Sequence, residues 1–149
     1  MRRRTRLLAT LISVCAALIS LGLTPVQASA AAYDGTDPTS TGCGNTAVTE
    51  KQVNVGPYGA YVQLRYSTAC RTTWAKLFNG NAGSPGDCAA SYAIIHRNSD
   101  GREYKAVWGS GDSGSIHTLQ LNDAGVTSYA IGDVDYCFAG PYRASTGSF

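Results

Sequence analysis

The chain is 149 residues long, with 44% hydrophobic and 15% charged residues and a formal net charge of +2. That length holds one domain, and its charge is uneven, because Arg2, Arg3, Arg4 and Arg6 precede every acidic residue. The other basic residues, Lys51, Arg65, Arg71, Lys76, Arg97, Arg102, Lys105 and Arg143, are scattered, which excludes the clustered basic element that nucleic-acid binding requires.

The basic head leads into an almost continuously apolar stretch from Leu7 to Leu23, then Thr24-Pro25 and the run Ala28-Ser29-Ala30-Ala31-Ala32. An apolar core shorter than the ~20 residues of a bilayer span, closed by Ala-x-Ala, predicts a secretory signal peptide over residues 1–30, with cleavage after Ala30 or Ala32. Cys15 sits inside that core behind Val14 and is not a lipoprotein site. Cleavage leaves a chain expected to be secreted, extracellular and free of the membrane. It also leaves eight basic against ten acidic residues, a net charge of −2.

Removal of Cys15 leaves Cys43, Cys70, Cys88 and Cys137, an even set for an oxidising compartment and hence two disulfides. Of three possible pairings, Cys43 with Cys70 and Cys88 with Cys137 is preferred, because each pair then closes a loop within one half of the chain. No Cys-x-x-Cys pair is present and neither histidine lies near a cysteine, so no metal or other cofactor is expected.

Residues 31–45 are rich in Gly, Asp, Thr and Ser with no apolar period, and read as an extended arm or irregular lead-in pinned at Cys43. Residues 46–149 read as a single β domain. Ala47–Val55 and Tyr61–Tyr66 flank the turn Gly56-Pro57-Tyr58-Gly59, and the second run alternates Tyr61, Gln63, Arg65 against Val62, Leu64, Tyr66. Thr72–Phe78 adds a third strand, and Asn79–Asp87 is a loop. Ser91–Arg97 and Arg102–Trp108 form a second hairpin about Asp100-Gly101. Ile116–Leu121 and Val126–Ile131 complete the set, the last ending before Gly132, and a polar tail follows Tyr136-Cys137-Phe138. No helical period is sustained. The fold class is all-β, a small disulfide-stapled sandwich or partly open barrel of six to seven short antiparallel strands.

Chemistry is sparse. Gly111-Asp112-Ser113-Gly114 has the spelling found around the nucleophile of trypsin-like proteases, yet only His96 precedes it, and a triad needs a base and an orienting acid within hydrogen-bond reach. It reads as a loop, and no catalytic residue is assigned. His96 and His117 each lack an obvious acidic partner in sequence. Asp133 with Asp135, and Asp34 with Asp37, read as turn carboxylates rather than calcium ligands. The surplus of tyrosine is more informative. Tyr33, Tyr58, Tyr61, Tyr104 and Tyr142 fall in turns or on wet faces, and the first four, with Trp74 and Trp108, are the expected binding residues, since amphipathic rings favour recognition.

The blocks Tyr33-Asp34-Gly35-Thr36-Asp37-Pro38-Thr39-Ser40-Thr41-Gly42-Cys43 and Leu64-Arg65-Tyr66-Ser67-Thr68-Ala69-Cys70-Arg71-Thr72-Thr73-Trp74-Ala75-Lys76 resemble the DUF2690, or YjfA-like, family of small secreted proteins of Gram-positive bacteria, frequent in actinomycetes. Looser similarity reaches Asn122-Asp123-Ala124-Gly125 and Ser128-Tyr129-Ala130. The resemblance implies an all-β domain and supports pairing Cys43 with Cys70; it transfers no catalytic residue. Beside it, Arg71 is expected to pair with Asp34 or Asp37 of the arm.

These features point to a secreted, non-enzymatic binding or adaptor module that recognises a protein partner in an exported assembly or at the cell envelope, and less readily a cell-wall glycan. A small secreted hydrolase and a secreted protease inhibitor presenting Asn79–Cys88 are the alternatives.

Overall fold

Short alternating runs, each closed by a turn residue that tolerates positive φ, fold this chain into two stacked antiparallel sheets in the computed structural model, which describes residues 30–149. Cys15 and the basic and apolar parts of the predicted signal peptide fall on residues 1–29, outside the described residues.

The first sheet is a meander of β1 (Ala47–Asn54), β2 (Tyr61–Ser67) and β3 (Thr72–Phe78), with β6 (Ser115–His117) and β7 (Leu121–Asn122) both paired to the free edge of β3. The second sheet is ordered β5 (Glu103–Val107), β4 (Tyr92–Arg97), β8 (Ser128–Asp135), β9 (Pro141–Ser145). Alternation decides the inner faces. Val62, Leu64, Ala75, Leu77 and Leu121 from one sheet meet Ala93, Ile95, Ala130 and Val134 from the other, all with no exposed surface. The fold is thus an all-β sandwich, with no closed barrel.

Two disulfides staple it. Cys43–Cys70 ties the arm to the β2–β3 turn and Cys88–Cys137 ties the loop after β3 to the β8–β9 connection, with Cα separations of 5.7 and 4.5 Å. Loops of 27 and 49 residues correspond to about 3.5 and about 4 kcal/mol in the chain-entropy model.

Four local expectations are corrected. The alternating run Ile116–Leu121 is broken into β6 and β7, because the ladder fails from Thr118 onward: the Thr118 amide still donates to the Ala75 carbonyl at 3.0 Å, but its hydroxyl accepts from the Ala75 amide at 3.1 Å, and the Gln120 backbone amide donates to the Thr36 carbonyl at 2.9 Å. Strand β8 does not stop before Gly132 but continues to Asp135, because the missing side chain is what admits the facing sheet. A Cβ on Gly132 would lie 2.8 Å from Val55 and 2.9 Å from Val62. The polar tail contains β9, whose Tyr142 and Ala144 pack on the core while Arg143 points outward. Beyond it, Phe149 and Ser128 exchange two backbone hydrogen bonds at 3.0 Å.

The fourth correction concerns the arm. Residues 30–46 do not run extended; they make two single-turn 3₁₀ helices, Ala30–Tyr33 and Cys43–Thr46, joined by turns. Gln120, fully buried beneath them, donates to the hydroxyls of Thr36 (2.9 Å) and Thr41 (3.0 Å) and accepts from Thr72. Among the described residues, no buried side-chain nitrogen or oxygen lacks a hydrogen-bond partner. The arm is therefore a polar cap fastened over one end of the first sheet.

Candidate functional site

The outer face of the first sheet carries a row of side chains set by strand register. Opposite pairs Tyr61 and Phe78, Gln63 and Lys76, and Arg65 and Trp74 project together, and His117 stands beside Lys76 on β6. Tyr61 and Phe78 stack with ring centroids 4.5 Å apart. At the other end the arm descends on Trp74 and leaves a cleft of about 240 Å³ between itself and the sheet, lined by Pro38, Asn45, Arg65, Trp74, Lys76 and His117 among others. His117 also borders a second, shallower hollow that includes Asp37, Asp112 and Ser115.

Both histidines have acidic partners that the sequence did not reveal, because the partners come from other elements. His96 Nδ1 lies 2.8 Å from Glu103 across the β4–β5 ladder, and His117 Nε2 lies 3.0 Å from Asp37 of the arm, eighty residues away. Burial alone would raise the Asp37 pKa. Hydrogen bonds from the amides of Ser40 and Thr39 and from His117 outweigh it and hold the carboxyl below its ordinary value. Among the described residues no serine, threonine or cysteine side chain is hydrogen-bonded to either histidine. Gly111-Asp112-Ser113-Gly114 is an exposed loop in which Asp112 accepts from the Gly109 amide.

A second surface lies at the opposite end of the sandwich, where the β1–β2 turn meets the β8–β9 connection. Tyr58 makes edge-on contacts with Tyr136 (4.8 Å), Phe138 (5.4 Å) and Tyr142 (6.2 Å). The cluster is anchored from below. The Tyr136 hydroxyl donates to the Val55 carbonyl at 3.1 Å, Cys137 is tied to Cys88, and Gly56, at φ +73°, lies so close to the Tyr142 ring that a Cβ would come within 2.7 Å of it. Its crown is wet: Tyr58 is 51% and Phe138 79% exposed.

The expected binding residues are thus dispersed. Tyr58 belongs to the aromatic cluster and Tyr61 to the outer face of the first sheet. Tyr33 and Tyr104 are half-buried beneath or within the arm, the Tyr104 hydroxyl resting against Gly35. Trp74 and Trp108 are corrections: at 4% and 5% exposure both are packed inside, Trp74 under the arm and Trp108 against the backbone of Gly80. Sequence reading singles out Tyr58 and Tyr142 but misses Tyr136 and Phe138 as their neighbours, and it misses Arg65, Lys76 and His117 as a row. The alternations of Tyr61, Gln63 and Arg65 on one strand and of Trp74, Lys76 and Phe78 on the next are the local signals for the row. The carboxylates considered for calcium serve the fold instead: Asp133 accepts from Tyr92 at 2.8 Å and Asp135 from the amides of Ala89 and Cys137.

Comparison with known proteins bears on this architecture directly. The family model described as "Protein of unknown function (DUF2690)" matches residues 31–131, more than half of the chain. The chain belongs to the DUF2690 family. Within this DUF2690 protein the matched span covers the arm, the whole first sheet and the second sheet as far as Ile131, so both the cleft and its cap lie inside it, whereas Phe138 and Tyr142 lie beyond it. The chain is also similar to the Uncharacterized protein YjfA of Bacillus subtilis (strain 168), at 30% identity over 139 residues, covering 84% of this chain and 85% of the relative. No solved structure matches the chain. Among the described residues no helix is long and apolar enough to cross a membrane.

Proposed function

We propose that this DUF2690 protein is a secreted binding or adaptor module that recognises a protein partner outside the cytoplasm, in an exported assembly or at the cell envelope. The observation that carries this reading is the aromatic cluster, in which Tyr58 and Phe138 expose 51% and 79% of their surface on a base held by a disulfide and a core hydrogen bond. Large rings that are already ordered lose little entropy on contact and deliver much buried area, which is how interface hot spots work. The basic leader and apolar core of residues 2–23 and the two disulfides support an exported, oxidising setting.

The test is affinity capture from culture supernatant and cell-wall fractions with the wild-type protein and a Tyr58→Ala/Phe138→Ala variant. A partner retained in stoichiometric amount by the wild type and lost from the variant supports the reading. Retention that is equal on both overturns the aromatic end as the recognition surface. Inhibition of a protease, or turnover lost on His96→Ala, would replace the reading with the inhibitor or hydrolase alternative.

A further inference from the structure

The cleft under the arm holds positive charge that the fold does not use. Arg97, Arg102 and Arg143 each meet a carboxylate, as do both histidines. Arg65 and Lys76, like Lys51, Arg71 and Lys105, have no carboxylate within ion-pair distance among the described residues, but only Arg65 and Lys76 share a cleft. Arg65 is nevertheless held in place. Its Nη2 donates to the Ala47 carbonyl at 3.1 Å, and its Nη1 donates to Thr49 Oγ1 and, at 3.5 Å, to Gln63 Oε1. These neutral acceptors orient the guanidinium without neutralising it. They use three of its five N–H groups, and the other two stay free for a ligand. Lys76 projects from the adjacent register position, its ammonium 5.0 Å from the Phe78 ring centroid. Of the nearby acids, Asp37 is engaged by two backbone amides and His117 and borders the neighbouring hollow rather than the cleft, and Glu50, in the β1 bulge beside Thr49, is not within ion-pair distance of Arg65.

We propose that this cleft is a carboxylate-binding site that takes an acidic side chain or terminal carboxylate of a peptide, with Arg65 as the oriented fork and Lys76 as the second cation. A planar guanidinium with N–H groups to spare matches a carboxylate. The two cations by themselves would also accept a dianion, and it is the surrounding domain's excess of ten acidic over eight basic residues that weighs against a dense one such as phosphate. The volume of about 240 Å³ is below the roughly 300 Å³ at which small-molecule pockets begin and accommodates a single side chain. The Trp74 ring, 4% exposed, forms wall rather than platform and leaves a sugar no face to stack on. This site lies at the opposite end of the sheet from the aromatic cluster and goes beyond the reading drawn from that cluster.

The experiment titrates the purified protein with acetyl-triglutamate, and with acetyl-triglutamine amide, glucuronate and inorganic phosphate as comparison probes, by calorimetry. Triglutamate is expected to bind and triglutamine not to. Arg65→Gln and Lys76→Gln should each weaken triglutamate by about tenfold, the loss of one charge-assisted contact, while Tyr58→Ala/Phe138→Ala leaves it unchanged. Should Arg65→Gln disturb the fold by freeing the Ala47 carbonyl, Lys76→Gln decides alone, since among the described residues the Lys76 ammonium has no hydrogen-bond partner and only the Phe78 ring contact to lose. No binding of triglutamate, equal binding of triglutamine, unaltered affinity in the folded variants, or tighter binding of glucuronate or phosphate would each overturn the proposal.

Discussion

Asp34 and Arg97, sixty-three residues apart, form a forked pair in which Arg97 Nη1 lies 3.0 and 3.2 Å from the two carboxylate oxygens. The pair is largely buried, with side-chain exposures of 16% and 9%. It closes the arm onto the end of the second sheet, while the buried amide of Gln120 fastens the same arm to the first. A segment of low hydrophobicity is thereby ordered by polar contacts to both layers. Arg71, the partner that sequence reading favoured, is exposed and spends its backbone, not its side chain, on the fold.

Breaking this clamp should be costly. Asp34→Ala leaves Arg97 buried with only Asp100 and the Asn122 carbonyl for company. It should lower stability by about 3–5 kcal/mol in chemical denaturation, the range for removing one partner of a buried ion pair. Arg102→Ala, half exposed at the rim of the same network, should cost less than about 1 kcal/mol. Equal losses for the two variants would contradict a clamp centred on Arg97.

At Arg71 the backbone matters more than the charge. Its φ of +55° is left-handed, where any side chain is strained and glycine is not. Arg71→Gly is expected to be neutral or to stabilise by up to about 1 kcal/mol, whereas a lost arm contact would make it destabilising. A thermal melt of the two proteins decides.

Gly132→Ala should destabilise by about 1–3 kcal/mol through overpacking, because the new methyl would press on Val55, Val62 and Leu77 of the facing sheet at 2.8–3.1 Å. Gly125→Ala tests the other glycine mechanism. Nothing lies within 4 Å of its Cβ position, but φ is +79°, so any loss there comes from the backbone alone. A compensating Leu77→Val should recover part of the stability lost in the first variant and none of that lost in the second.

Acid titration should reveal two carboxylates of opposite sign. Asp37 is held below its ordinary value of 3.8, burial being outweighed by the Ser40 and Thr39 amides and by His117. It therefore contributes stability that is present above that value and lost as pH falls through the lower, folded one. Asp123 is pushed above 3.8 by burial, partly offset by the Ser128 hydrogen bond and by Arg97. Its ionised form opposes folding, and that penalty is relieved as pH falls through its raised value. Asp37→Asn should lower stability at neutral pH and flatten its fall below about pH 4. Asp123→Asn, whose amide oxygen still accepts from Ser128, should raise stability at neutral pH and steepen that fall. Urea midpoints across pH check both signs.

The two disulfides should differ in access. Cys43 is 1% exposed, whereas Cys88 is half-buried and Cys137 exposed, so mild reductant should open Cys88–Cys137 first. Alkylation followed by mass spectrometry reads the order. Partial reduction should loosen Phe138 and weaken partner capture before the sandwich melts, while Cys43→Ala/Cys70→Ala should cost about 3.5 kcal/mol.

Much of this was legible locally. Val62 and Leu64 alternating with Tyr61, Gln63 and Arg65 announce a half-buried strand because strand side chains have a period of two, and Asp100-Gly101 announces its hairpin because glycine accepts the left-handed turn position. The cysteine count and the two family-like blocks likewise depend on residues read in order. What failed locally depended on distant neighbours. Gly132 resembles a strand stop until Val55 and Leu77 arrive from the other sheet, and Trp74 resembles a surface ring until the arm folds over it. Tyr142 and Ala144 carry too little apolar pattern to mark a strand without β8 beside them.

The sequence by itself determined that this chain is an all-β, two-disulfide member of its family, because period, turn chemistry and cysteine number are properties of residues close in order. Only the tertiary structure decided which charges are neutralised and which remain. Asp34 goes to Arg97 and Asp37 to His117, across 63 and 80 residues, and Arg65 and Lys76 are left facing an open cleft. That selection belongs to the packing of arm against sheet, since an ion pair is set by separation in space and sequence spacing does not encode it.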